Sequence, residues 1–98
     1  MYQLDQLLAM LTIEKAKHLQ FRAGSPPIMV TEREQRALQG PKVTQEDVMG
    51  LLKSMATSRQ MRELRQRGAL RFVYTLPNRS PFLIRAKMED ENVEFDIS

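Results

Sequence analysis

Residues 21–30 read FRAGSPPIMV. They set one glycine and two prolines inside four positions, between two apolar runs, in a chain with only four glycines and five prolines. Gly24 takes positive φ without steric cost, while Pro26 and Pro27 fix φ and remove two backbone donors. No helix or central strand runs through such a segment. The apolar flanks are therefore expected to be two separate strands joined by a tight connection.

A chain of 98 residues suits one small domain, which buries roughly 60–65% of its unfolded surface and needs no staple. Residues 1–98 are thus expected to form a single domain. Apolar residues at 42% and charged residues at 28% fit a soluble globular protein and argue against wholesale disorder. The chain has no cysteine, which excludes a disulfide framework and thiolate zinc and fits a reducing, cytoplasmic setting. No apolar run reaches the roughly 18–20 residues a bilayer span requires. Met1-Tyr2-Gln3-Leu4-Asp5 lacks a basic leader region, so neither membrane insertion nor export is expected.

The net charge of +3 is unevenly spread. Arg59 to Arg71 holds five arginines against one acid, Glu63, whereas Glu89 to Ser98 holds five acids and no base. Such segregation marks either a surface for an anionic partner or pairing between neighbouring elements.

Leu4, Leu7, Leu8 and Leu11 share one helical stripe, predicting a helix from about Tyr2 to Glu14. His18 to Arg22 alternates as a half-buried strand, and Ile28-Met29-Val30 starts the next. The polar stretch Thr31 to Arg36 suggests a hairpin leading to Ala37-Leu38. In Thr44-Gln45-Glu46-Asp47 the Thr44 hydroxyl can accept an amide three residues on, and acids complement the helix dipole. A helix follows from Gln45 to about Ala56, with Val48, Leu51, Leu52 and Met55 as its buried stripe. A short, mostly wet helix from Ser58 to Arg67 has Met61 and Leu64 as its apolar anchors and ends at Gly68.

From Ala69 the period becomes two. Leu70, Phe72, Tyr74 and Leu76 face inward, Pro77-Asn78-Arg79-Ser80 turns, and Phe82, Ile84, Ala86 and Met88 face inward on the return. Glu89-Asp90-Glu91-Asn92 turns again, before a strand with Val93, Phe95 and Ile97 inward. Arg85 and Lys87 should then meet Glu94 and Asp96 across the outward side, at a few tenths of a kcal/mol per pair. The arginine-rich short helix remains uncompensated.

This order of elements resembles the N-terminal PAS-like domain of the twitching-motility and type II secretion ATPases, the PilT/GspE-like hexameric motors. The family's Ala-Ser-Asp-Leu-His-Leu strand and Gly-x-Pro-Pro turn correspond to Ala16 through Pro27. Its helix start resembles Val43-Thr44-Gln45-Glu46-Asp47-Val48. Its Gly-x-x-Asp-Phe-Ser-Tyr strand resembles Gly68-Ala69-Leu70-Arg71-Phe72-Val73-Tyr74. The resemblance spans nearly the whole chain and implies an α+β, PAS-like fold with a mostly antiparallel sheet packed by two to three helices. The family's Asp and His fall at His18 and Gln20. Its Arg-Phe-Arg-Val-Asn strand, whose arginines are implicated in contacting nucleotide held by a neighbouring motor domain, falls on Pro81-Phe82-Leu83-Ile84-Arg85. Both of its arginines are thus replaced, by Pro81 and Leu83; a gapped alignment would move Arg79 or Arg85 into that role.

The phosphate loop Gly-x-x-x-x-Gly-Lys-Ser/Thr is absent, the glycines standing at 24, 40, 50 and 68. The chain is therefore expected not to hydrolyse ATP, and to be a free-standing relative of the motors' N-terminal domain rather than a fragment. His18, the only histidine, has no nucleophile motif beside it and is expected at a strand edge or facing solvent. Glu89-Asp90-Glu91 lacks calcium-loop spacing, and no metal or cofactor is expected. Met49, Met55, Met61 and Met88 sit where core packing would use them.

Arg59, Arg62, Arg65 and Arg67 are the candidate partner-binding residues, since guanidinium groups there would engage carboxylates of a partner or phosphates. Phe72, Tyr74, Phe82 and Phe95 fall on expected core faces rather than on stacking surfaces, which favours a protein partner. The expectation is a noncatalytic docking or regulatory module, associated with a pilus or type II secretion-like motor, or self-associating. A basic nucleic-acid-binding module using the Arg59–Arg71 segment is the alternative. A small-ligand sensor rests on the PAS-like shape alone.

Overall fold

Gly24 adopts φ 92°, and its flanks are β1 (His18–Arg22) and β2 (Ile28–Val30), paired antiparallel in the computed structural model, which describes residues 3–77 and 79–98. The turn is also tied from outside. Gly24 donates its N–H to the Val43 carbonyl at 2.8 Å, and Val43 donates to the Ser25 carbonyl at 2.8 Å. The short β3 (Gln35–Ala37), exposed throughout, pairs with β2 after a turn in which the Thr31 hydroxyl accepts from the amides of Arg33 and Glu34.

The first helix, α1 (Leu4–Ile13), is shorter than the leucine spacing predicts. Tyr2 lies outside the described residues, and Glu14 is the C-cap, followed by Lys15 at φ 53°. Its Leu7, Leu8 and Leu11 are buried. α2 (Gln45–Met55) begins at the expected cap: the Thr44 hydroxyl accepts from the Asp47 amide at 3.0 Å, and the Asp47 carboxylate accepts from the Thr44 amide at 2.9 Å. Val48, Leu52 and Met55 form its buried stripe, whereas Leu51 is only half-buried. α3 (Ser58–Arg67) follows, then β4 (Ala69–Tyr74), β5 (Phe82–Glu89) and β6 (Asn92–Ile97).

The six strands form one antiparallel sheet in the order β3-β2-β1-β6-β5-β4. The first hairpin strands run outward from the centre. The chain then crosses by α2 and α3 to the far edge and returns to the middle, where β6 pairs with β1. The architecture is α+β, with three helices on one sheet. Alternation does the sorting: Leu19, Phe21, Met29, Leu70, Phe72, Phe82, Ile84, Ala86, Val93, Phe95 and Ile97 point to the helices, and their neighbours to the opposite face. Phe21 and Phe95, directly opposite across β1 and β6, stack with ring centroids 4.7 Å apart. α2 packs over β1 and β6, and α3 over β4 and β5. Tyr74, Leu76 and Met88, expected inward, are half-buried, and Asn78 of the expected turn lies outside the described residues. At the β5–β6 turn both Asp90 (φ 51°) and Glu91 (φ 69°) are left-handed, the geometry of a two-residue hairpin turn that matches strand twist. Among the described residues, no helix is long and apolar enough to cross a membrane.

Candidate functional site

α3 is held by its ends and one thin stripe. The Thr57 hydroxyl accepts from the Gln60 amide at 3.1 Å, and the Gln60 carboxamide oxygen accepts from the Thr57 amide at 2.9 Å. Sequence reading missed this capping box; its signal is Thr57-Ser58-Arg59-Gln60, a threonine followed three residues later by glutamine. Gly68 closes the helix at φ 76°, its N–H bonded to the Leu64 carbonyl at 2.8 Å. Met61 and Leu64 are buried against the sheet, and every arginine of the helix is exposed.

At about 100° per residue, Arg59 stands near the middle of the solvent arc, Arg62 and Arg65 step away from it to one side, and Arg67, at the end of the helix, lies to the other side. Arg67 pairs with Glu63, Nη1 to Oε1 at 3.5 Å, on an exposed surface where such a pair is weak. Of the four candidate arginines, Arg67 is thus paired within its own helix. Arg59, Arg62 and Arg65 enter no ion pair among the described residues. Their fixed positive charges suit carboxylates or phosphates and do no proton transfer.

The sheet face opposite the helices carries the other charges. Arg85 stands across from Asp96, and Lys87 from Glu94, in the register expected from the sequence; Arg22 faces Glu94 from β1. None of these pairs closes within 4.0 Å. A groove of about 360 Å³ runs between them, and Asp96 Oδ1, shielded from solvent, has no hydrogen-bond partner among the described residues. His18 stands on β1, between β2 and β6 and so not at a sheet edge; it is half-buried, with Nδ1 shielded and unpartnered among the described residues. Of the positions matching the motor family's arginines, Pro81 precedes β5 and Leu83 is half-buried on the helix-free face. Arg79 is exposed in the preceding loop. No group of three or more histidine, cysteine, aspartate or glutamate side chains suited to a metal ion occurs among the described residues.

No protein-family model and no curated protein matches the sequence. Solved structures do. The pilus retraction motor PilT, crystallised with bound ADP, superposes with a TM-score of 0.83 at 18% identity, over 99% of this chain and 28% of its own. The ATPase DotB of Legionella pneumophila superposes with a TM-score of 0.75 at 13% identity, over 95% of this chain and 27% of its own. At these identities the likeness is one of fold, and this chain spans little more than a quarter of either protein. The α+β sheet described above is therefore the fold of one part of a pilus retraction motor and of one part of a second ATPase.

Proposed function

We propose that this chain is a noncatalytic docking or regulatory module of a type IV pilus or type II secretion-like motor. On this reading it is a PAS-like counterpart of the motors' N-terminal domain that works in the cytoplasm. The observation that carries the reading is the superposition on PilT over 99% of the chain. The chain lacks a phosphate loop, so its influence on nucleotide turnover is exerted through contact with a motor domain. Arg59, Arg62 and Arg65 supply the contact: their guanidinium groups meet carboxylates of the partner in charge-assisted, bidentate pairs.

The test is to titrate the purified chain into a PilT-type ATPase from the same cell and follow co-elution and ATP turnover. Binding with a changed rate supports the proposal. ATP turnover by the chain alone, or no association at low salt, overturns it.

The unpaired arginines also favour one second reading, a nucleic-acid-binding module, in which they would contact phosphates. Phe72, Phe82 and Phe95 are buried, so few aromatic rings remain for base stacking. Salt-dependent shift of labelled single-stranded DNA or RNA would support that reading over the first.

A further inference from the structure

β4 forms one edge of the sheet, and its hydrogen-bond parity follows from its neighbours. Leu83 and Ser98 exchange both backbone bonds, at 3.0 and 2.9 Å, so odd-numbered residues of β5 turn their backbone toward β6 and even-numbered ones toward β4. The Met88 amide agrees, donating to the Gly68 carbonyl at 2.9 Å. Tyr74, Phe72 and Leu70 face Phe82, Ile84 and Ala86 in register, so their backbone groups are used by β5. Ala69, Arg71 and Val73 therefore turn their N–H and C=O groups outward from the edge.

The same three residues carry their side chains on the helix-free face. Val73 is 62% exposed and stands opposite Leu83, which together make an apolar step. Arg71 stands directly opposite Arg85, a like-charge cross-strand pair that is destabilising by itself. Asp96 faces Arg85 from β6, whereas Arg71 has no carboxylate within 4.0 Å among the described residues.

We infer that the β4 edge is a strand-addition site for an acidic, extended segment of a partner protein. The backbone of the segment pairs with Ala69, Arg71 and Val73. A carboxylate on it stands directly across from Arg71, on the side away from Arg85, and offsets the like-charge repulsion, and an apolar residue two positions away stands across from Val73 and extends the apolar step that Val73 makes with Leu83. A phosphate backbone would use the arginines and leave both the apolar step and the edge amides unused, which is why a protein segment fits better. The inference rests on reading the chain as a docking module and adds the surface and the chemistry of the partner.

The test uses the full chain and a fluorescent peptide alternating glutamate and valine, with a lysine-valine peptide as control, followed by anisotropy. Val73→Pro deletes an outward N–H while keeping every ladder bond to β5. The acidic peptide should bind and the lysine peptide should not; Val73→Pro, which removes one backbone hydrogen bond, and Arg71→Glu, which removes one charge-assisted bond, should each weaken binding by about tenfold. Thermal melting confirms that the variants fold, and the exposed Arg71→Glu carries the test alone should Val73→Pro unfold. No binding at low salt, equal binding of both peptides, or binding unaffected by Arg71→Glu overturns the inference. So does displacement of the peptide by a single-stranded oligonucleotide, or a concentration-dependent dimer that Val73→Pro abolishes, which would assign the edge to a second copy. If the chain still binds a PilT-type ATPase and neither variant weakens that binding, the edge assignment fails while the docking function stands.

Discussion

The Asp47 carboxylate accepts the Thr44 amide and lies beside the Thr44 hydroxyl, and these two bonds, in that order, hold its pKa below the ordinary aspartate value of 3.8. A carboxyl whose folded pKa is depressed stabilises the fold above the unfolded pKa and loses that contribution as pH falls through the folded value. Urea unfolding over a pH series should therefore show an acid limb, beginning as pH falls below about 4, that is flatter in Asp47→Asn. Thr57 and Gln60 build the same box without a titrating group, so Thr57→Ala should cost about 1 kcal/mol at every pH. Gly68 makes a different demand. At φ 76° a side chain is strained, and a Cβ would come 3.3 Å from the Met88 carbonyl oxygen. Gly68→Ala should lower stability by about 1–2 kcal/mol in the same unfolding assay.

Among the elements, α3 is the most polar helix and has the thinnest attachment, since Met61 and Leu64 alone are buried along it. Leu64→Ala should cost about 2–5 kcal/mol. Because so little else holds the helix, its amides should also lose hydrogen-exchange protection before those of β1 and β6, which are paired on both sides. An equal loss of protection across the sheet would show that α3 is not a separately opening unit. The end of α3 was readable because Gly68 and the switch to alternation at Ala69 are local signals; Thr57-Ser58-Arg59-Gln60 is an equally local signal for its start. The strand faces were readable for the same reason, and with them the Arg85–Asp96 and Lys87–Glu94 registers. Other features depend on contacts far apart in sequence. The bonds from Val43 to Gly24 and Ser25 cross about twenty residues, and nothing in the spacing announces them. The pairing of β6 with β1 is similar, and it decides that His18 sits inside the sheet and that Arg71 sits at its edge. That Arg67 lies across the solvent arc from Arg65 was legible in principle, since two positions on a helix turn a side chain to the other side; the ion pair with Glu63 is what distinguishes Arg67 from the other three.

For the whole molecule, a radius of gyration of 12.9 Å is close to the roughly 13 Å of a compact domain of this length. The three helices cover one sheet face, and the charges divide between two surfaces: arginines on α3, and mixed signs on the bare face of the sheet. The two surfaces can be tested separately because substitutions on exposed, unpaired residues leave the core alone. Replacing Arg59, Arg62 and Arg65 together by glutamate turns the net charge from +3 to negative and removes no ion pair among the described residues. Each change is a surface change worth at most about 0.5 kcal/mol, so the three together should move the melting temperature by no more than about 10 degrees. Association with a PilT-type motor should nevertheless be lost, because each guanidinium that met a carboxylate now presents one. Restoring binding with the reciprocal reversal on the partner would locate the contact. Unchanged affinity of the triple variant, measured on a protein that melts like the parent, would move the contact off α3 and leave the β4 edge as the remaining candidate surface.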